Sequence, residues 1–241
     1  MSTEKKIKKV AVVSGKGGVG KTSLTAAIAS LLAEHKRQLI AVDCDVDAPN
    51  LALMFAMQTQ GTEDLAVKAT EKARLLGEKC INCKSCIDDV YCTFDALSWN
   101  ADKQQPLVDP FACEGCGACQ VLCKAGAFAM DQVESGHIYT ALTMEGFPLV
   151  YGETVIGAST SGKLVRSVKE LAYEKAGGAS IAIIDGPPGI GCPVIATISD
   201  IDYVIVMMEP FPTAFHDASR MIEVIKRFKV PFGIVINRCD A

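Results

Sequence analysis

Two groups of residues in this 241-residue chain have types and spacings suited to chemistry. The first is Gly15-Lys16-Gly17-Gly18-Val19-Gly20-Lys21-Thr22, followed by Ser23, which fits the phosphate-loop pattern G-x-x-x-x-G-K-S/T. Glycines let backbone N–H groups turn inward as a nest for anions, and a helix starting at the loop adds its positive end. Lys21 then reaches the β- and γ-phosphates of a nucleotide, and Thr22 offers its hydroxyl to Mg²⁺. The second group is cysteine. Of eleven cysteines, eight lie between Cys80 and Cys123. They run Cys80-x2-Cys83-x2-Cys86, then Cys92, then Cys113-x2-Cys116-x2-Cys119-x3-Cys123. These are iron–sulfur spacings, in which four thiolates hold each [4Fe–4S] cube. Structural zinc and free thiols are the alternatives. Three cysteines at successive x2 spacing, twice over, fit paired C-x2-C zinc knuckles poorly.

A phosphate loop needs a strand before it and a helix after it. Lys9–Ser14 is a β-rich apolar run and reads as a buried strand. Leu24, Ala27, Ile28, Leu31 and Leu32 recur at helical spacing and predict the face of the following helix. Residues 39–50 read as a second buried strand running into a carboxylate-rich loop, with a short helix over Leu51–Ala56. Asp43 and Asp45 close that strand; alternate strand residues point the same way, so both can face a metal. Asp47 reads as a solvated loop residue. A short strand is expected near Leu65, Val67 and Ala69, and another over Ile138–Thr143. A small-residue loop follows over Gly157–Gly162, then a helix from Lys163 to Lys175. Ile181–Asp185 reads as a third buried strand, Gly186–Gly189 as its turn, and Asp185 as a Walker-B carboxylate for Mg²⁺. Tyr203–Met208 and Phe232–Asn237 complete the strands. Between them Thr213 is the expected N-cap of a helix with Ala218, Met221, Ile222, Ile225 and Phe228 on its face. Apolar strands alternating with amphipathic helices predict a doubly wound, mostly parallel α/β sheet, with ligands at the carboxyl ends of its strands. The cysteine stretch interrupts this pattern. It has no sustained apolar periodicity, and about 50 residues scarcely support a core without a staple. The expected organisation is therefore a P-loop domain over 1–78 and 132–241, carrying an inserted small α+β module over 79–131.

Lys16 makes the loop more specific. Lys16-Gly-Gly-Val-Gly-Lys-Thr22 resembles the deviant Walker A loop of the family that includes MinD and ParA ATPases, Mrp-type iron–sulfur carriers, the nitrogenase iron protein and CobQ/CbiA nucleotide-binding domains. Asp43-x-Asp45 resembles that family's switch I. Asp185-Gly-Pro-Pro-Gly189 resembles its Walker B and switch II, and Asn237-Arg238 its adenine-contacting strand end. The resemblance covers residues 7–56 and about 150–241. It implies ATP with Mg²⁺, and a nucleotide-dependent homodimer in which Lys16 reaches the partner's phosphates. It implies further that Asp45 orders the attacking water, that the Gly189 N–H senses the γ-phosphate, and that Asn237 contacts the base. The cysteine stretch is similar to a bacterial two-cluster ferredoxin, where the fourth cysteine of each run crosses to the other cluster. That implies one ligand set of Cys80, Cys83, Cys86 and Cys123, and another of Cys113, Cys116, Cys119 and Cys92. The stretch departs from the ferredoxin pattern in lacking the prolines that usually follow the fourth cysteines. It also has five residues between Cys86 and Cys92 where three are usual, which leaves a labile or three-iron centre open there. Cys192 lies seven residues after Asp185, where the nitrogenase iron protein has a cluster ligand. Its companion position here is not cysteine, so it reads as a packed thiol.

Composition sets outer bounds. The net charge is −4, which implies no general affinity for nucleic acid, and no apolar run reaches the length of a membrane span. Neither a membrane anchor nor a secretory signal is expected, so the cytoplasm is the expected location. The sequence thus points to an ATPase coupled to iron–sulfur chemistry, with a redox protein or an apo-iron–sulfur protein as partner. It either gates electron delivery from two [4Fe–4S] clusters or carries and assembles clusters. A positioning or CobQ-type ATPase with a regulatory insert is the remaining reading.

Overall fold

The computed structural model describes residues 7–58, 61–158 and 161–240. Its elements in chain order begin with β1 (Lys8–Ser14), α1 (Lys21–Glu34), β2 (Leu39–Asp43), a 3-10 turn (Leu51–Met54), β3 (Glu63–Val67) and β4 (Thr70–Leu75). Next come α2 (Ser85–Asp88), β5 (Leu97–Asn100), β6 (Gln105–Val108), α3 (Ala118–Leu122), β7 (Phe128–Val133), β8 (Gly136–Leu142) and β9 (Pro148–Thr154). The chain closes with α4 (Ser161–Glu174), β10 (Ile181–Pro188), α5 (Cys192–Ile198), β11 (Tyr203–Met208), α6 (Pro212–Arg227) and β12 (Phe232–Ile236). Two compact units result: one of Met1–Leu65, His137–Thr154 and Ser161–Ala241, the other of Ala66–Gly136 with Val155–Thr160.

The first unit is built on an eight-stranded sheet in the order β12-β11-β1-β10-β2-β9-β8-β3. β1 pairs in parallel with β10 and β11, β10 with β2, β2 with β9, and β11 with β12. All five residues of β2 are buried, as are Ala11, Val12 and Val13 of β1, because helices cover both faces of such a sheet. The register sets Val12 beside Asp185 and Asp185 beside Asp43, so β2 ends level with Asp185 while β1 and β10 run on to Ser14 and Pro188. That carboxyl edge is where an open α/β sheet binds its ligands.

Several expectations need correction. In α1 the sheet-facing residues are Thr25, Ala26 and Ala29, while Ala27 is exposed and Leu31 is 55 % exposed. The helix is apolar nearly all round, so its pattern carries little phase, and small side chains let it lie close to the sheet. Gly186–Pro188 do not turn; they extend β10, with Pro188 paired to Ser14 of β1. Thr213 lies inside α6, whose N-cap is Phe211 with Pro212 at the helix start. Phe228, expected on the buried face of that helix, is its C-cap and is exposed. The helix at Leu51 is one 3-10 turn. Residues 159 and 160 of the expected loop at 157–162 lie outside the described residues, and α4 starts at Ser161.

The second unit holds two antiparallel pairs, β4 with β7 and β5 with β6. It is wider than the cysteine span because β4, which precedes Cys80, pairs with β7 from Thr70–Val133 to Leu75–Phe128. Its apolar cluster is small and partly made of sulfur: Cys86, Cys119 and Phe128, with Leu75, Leu97 and Val108 packed against them.

One close approach in the first unit is decisive for the loop. A Cβ on Gly15 would lie 2.4 Å from the carbonyl carbon of Asp217 in α6. Glycine is required there so that α6 can seat against the root of the phosphate loop. Gly15→Ala should therefore cost about 1–3 kcal/mol through overpacking. Calorimetry should show a lowered Tm; an unchanged Tm would mean the two segments are not in this contact.

Candidate nucleotide and cysteine sites

The phosphate loop follows β1 and turns into α1 at Lys21. Gly18 and Gly20 hold φ of 79° and 99°, the left-handed region that glycine enters without strain. Gly20 is the N-cap of α1, with no side-chain cap, so the first N–H groups of the helix remain for a ligand. Val19 is buried against Val12 and Met207 and pins the loop to the core. Ser14 donates its hydroxyl to the Lys16 carbonyl, and Asn237 donates through Nδ2 to the Val19 carbonyl at 2.9 Å. Asn237 thus braces the loop from the end of β12 through its amide nitrogen. The Gly189 N–H, implied as a γ-phosphate sensor, donates here to the Ser14 carbonyl at 2.9 Å. Lys16 is exposed.

Beneath the loop, Thr22 Oγ1 donates to Asp185 Oδ2 at 2.6 Å. Thr25 Oγ1 lies 3.2 Å from Asp185 Oδ1 and 3.0 Å from the Lys21 carbonyl. Thr25 was not singled out in the sequence, though it sits three residues after Thr22 on the same helix face. Asp43 accepts the Asp45 N–H at Oδ1 and the Leu51 N–H at Oδ2, both at 2.9 Å. Both bonds let Asp43 shape the loop after β2. Asp45 is half-buried beyond it, and Asp47 is exposed.

Charge at this edge is unbalanced. Burial pushes the Asp43 carboxyl up to about 7, with Asp185 and Asp45 adding to it against the two backbone N–H groups. Burial pushes Asp185 up to about 6, against the pull of Thr22 and Lys21. Asp45 is raised by burial as well. Lys21, only 6 % exposed, is lowered by burial despite Asp185, Asp45 and Asp43 nearby. Three carboxylates around one lysine favour a divalent cation between Thr22 and Asp185, and the open N–H groups of the loop favour phosphate. The residues fit a magnesium–nucleotide complex.

None of the eleven cysteines forms a disulfide. Cys80, Cys83, Cys86 and Cys123 line one cavity of about 200 Å³, together with Tyr91 and Trp99. Cys92, Cys113, Cys116 and Cys119 line a second of about 20 Å³, with Phe94 and Met130. Among the described residues no group of three or more His, Cys, Asp or Glu side chains closes around a single metal ion. The two cysteine loops repeat one backbone. Asn82 and Lys84 have φ of 57° and 62°; Gly115 and Gly117, at the same offsets from Cys113, have 68° and 75°. Asp95 and Gly126 repeat this three residues after Cys92 and Cys123, at 54° and 62°. Such left-handed residues turn backbone N–H groups toward one point, the nest that suits anionic sulfur. Correspondingly, the N–H groups of Ala96, Ala127 and Ala73 point to the sulfurs of Cys92, Cys123 and Cys113, each at 3.4 Å. Burial and then the neighbouring cysteines push up the Cys86 thiol. Four thiols facing one cavity with N–H donors behind them fit a cationic cluster that takes them as thiolates. Cys192 is exposed at the start of α5, which corrects its reading as a packed thiol.

The CobQ/CobB/MinD/ParA nucleotide binding domain family matches residues 10–241. An uncharacterized protein of Methanocaldococcus jannaschii is 39 % identical over 232 residues, which are 96 % of this chain and 78 % of that protein. The iron–sulfur cluster carrier protein of Pyrococcus abyssi is 25 % identical over 240 residues; the match spans 97 % of this chain and 62 % of the carrier. Among solved structures, the septum site-determining protein MinD of Pyrococcus horikoshii, complexed with Mg-ADP, is similar with a TM-score of 0.53 at 17 % identity. That likeness covers 97 % of this chain and 71 % of MinD, and it shows a shared fold. No helix among the described residues is long and apolar enough to cross a membrane.

The raised carboxyls give a pH dependence with a definite sign. The folded chain holds protons on Asp43 and Asp185 that the unfolded chain releases from about pH 4. Stability without nucleotide should therefore fall as pH rises through about 6 and about 7. Calorimetry from pH 5 to 8 should show a falling Tm, with a smaller fall in Asp185→Asn and in the presence of Mg²⁺ and nucleotide. A slope unchanged by Asp185→Asn would contradict this account of the site.

Proposed function

The chain belongs to the CobQ/CobB/MinD/ParA nucleotide-binding domain family, and from that premise we propose an ATPase whose nucleotide state gates electron transfer through two [4Fe–4S] clusters to a redox partner. The observation that carries this reading is the pairing, in one chain, of a magnesium–nucleotide site with two cavities each lined by four cysteines. Lys21 and the loop N–H groups hold the phosphates, and Thr22 and Asp185 hold Mg²⁺. Asp45, half-buried and held through its backbone N–H by Asp43, orients the water that attacks the γ-phosphate. The exposed Lys16 reaches the phosphates of a second subunit in a nucleotide-dependent homodimer. Hydrolysis consumes one water and releases ADP and phosphate, which opens the dimer again. When bound, the clusters supply one-electron transfer at low potential. In the cysteine unit the chain's own contribution is to hold the thiolates, donate N–H bonds to sulfur, and exclude water.

A second reading is a carrier that assembles or delivers clusters. The 25 % identity to an iron–sulfur cluster carrier over nearly the whole chain favours it. The two differ in what the clusters do: a carrier's transfer to an apo-acceptor, whereas an electron-transfer protein keeps them and shifts their potential with MgATP.

The test is anaerobic purification with iron and sulfide analysis and EPR, with and without MgATP. About eight irons per chain and a nucleotide-dependent signal are expected. Stoichiometric zinc without sulfide would sink both readings. Lys21→Ala should abolish nucleotide binding by calorimetry. Lys16→Ala should keep binding and lose dimerisation and hydrolysis; if both persist, Lys16 does not reach across the dimer.

A further inference from the structure

We propose that Lys72 sets the reduction potential of the site formed by Cys92, Cys113, Cys116 and Cys119 above that of its neighbour, making it the site where an electron comes to rest. The inference rests on the iron–sulfur reading above and concerns a residue outside the cysteine motifs.

Lys72 lies on β4 and is 8 % exposed. Its Nζ donates to the Cys113 carbonyl at 2.6 Å and to the Gly157 carbonyl at 3.1 Å. The next residue, Ala73, donates its N–H to the Cys113 sulfur at 3.4 Å. One residue before it, the Glu71 carbonyl would lie 2.2 Å from a Cβ on Gly115, so the Cys113–Cys116 loop sits directly on β4. Glu134 lines the same cavity as Lys72, but the acceptors at hydrogen-bond distance from Nζ are the two carbonyls. A buried ammonium without a counter-charge is strongly unfavourable. Four thiolates on the adjacent site supply that counter-charge.

The other site has no such group. The charged residues lining its cavity are Lys84, Asp89 and Lys124, all exposed, so water screens them. The cavity of the second site is lined by one charged residue, the exposed Glu114. The buried cation is thus on one side of a backbone that otherwise repeats.

Its effect has a definite direction. Four thiolates on a cubane core of charge +2 total −2; accepting one electron from a low-potential donor gives −3, with no proton taken up. A buried positive charge stabilises the more negative state and raises the potential. Water cannot screen it as it screens the lysines of the first site.

The experiment uses the full chain, reconstituted anaerobically and titrated with dithionite while EPR follows the two clusters. In Lys72→Gln one of two midpoints should fall by at least a tenfold change in its equilibrium, about 59 mV for a one-electron couple. The other should stay in place, and Lys72→Arg, which keeps the charge, should match the parent chain. Unchanged midpoints in Lys72→Gln overturn the proposal, as do equal shifts in Lys72→Gln and Lys72→Arg, which would mark a structural role. If Lys72→Gln does not load, the parent chain still decides: Cys116→Ser should remove or alter the higher-potential signal, and loss of the lower one overturns the proposal. Failure of the iron–sulfur reading is distinguishable, because the parent chain would then lack iron and sulfide altogether.

Discussion

Asp43 and Asp185 stand side by side at the carboxyl ends of adjacent parallel strands, both almost without solvent. Two like charges in that position repel each other and lack water to screen them. The first unit is arranged around this constraint. Two backbone N–H groups from the following loop are turned onto Asp43, which fixes the path from β2 to the 3-10 turn. Two threonine hydroxyls and the Lys21 ammonium are turned onto Asp185 from the first turns of α1. Because α1 must bring Thr22, Thr25 and Lys21 to that edge, its sheet-facing side carries small residues that let it approach. The phosphate loop is the strip of chain that remains between β1 and this fixed helix.

Much of this was legible in the sequence because it is local. A phosphate loop, a strand ending in aspartate and a run of cysteines each lie within a few consecutive residues. What was not legible depends on partners far along the chain. That Asp43 shapes the loop after β2 shows only once Leu51, eight residues on, is placed to donate to it. That Asn237 braces the phosphate loop shows only once its amide is placed on the carbonyl of Val19, 218 residues earlier. Gly186–Pro188 read as a turn because two prolines follow a glycine. They stay extended because β1 continues beside them and Ser14 pairs with Pro188. The buried face of α1 is not legible for a different reason: alanine, leucine and isoleucine occur all round it, so only the approach of the sheet selects which side is buried.

The second unit obeys a different constraint. Its apolar cluster is small and counts two cysteines among its buried residues, so what fills its cavities also bears on its stability. The repeated left-handed residues make sense in that light. Glycine occupies Gly115, Gly117 and Gly126 in one half, while Asn82, Lys84 and Asp95 hold the same conformation with side chains in the other. Side-chain-bearing residues adopt that region at a cost, which persists only where surrounding structure requires it. The requirement here is the aim of N–H groups at sulfur, a geometry the spacing of cysteines alone does not disclose.

The nucleotide site and the site of Cys92, Cys113, Cys116 and Cys119 each have a buried lysine close by, yet they treat their negative charge in opposite ways. At the nucleotide site the anion must come and go. The permanent groups left behind are carboxylates, and their raised affinity for protons lets them shed charge when cation and nucleotide depart. At the cysteine sites the negative charge belongs to the ligands themselves and stays while a cluster is held. A buried cation such as Lys72, held on the Cys113 carbonyl, is fixed charge of the opposite sign beside one of the two sites. Exchangeable charge suits a timing step, and fixed charge suits a direction. On the proposed reading, hydrolysis would set when transfer occurs, and the cysteine unit would set which way it runs.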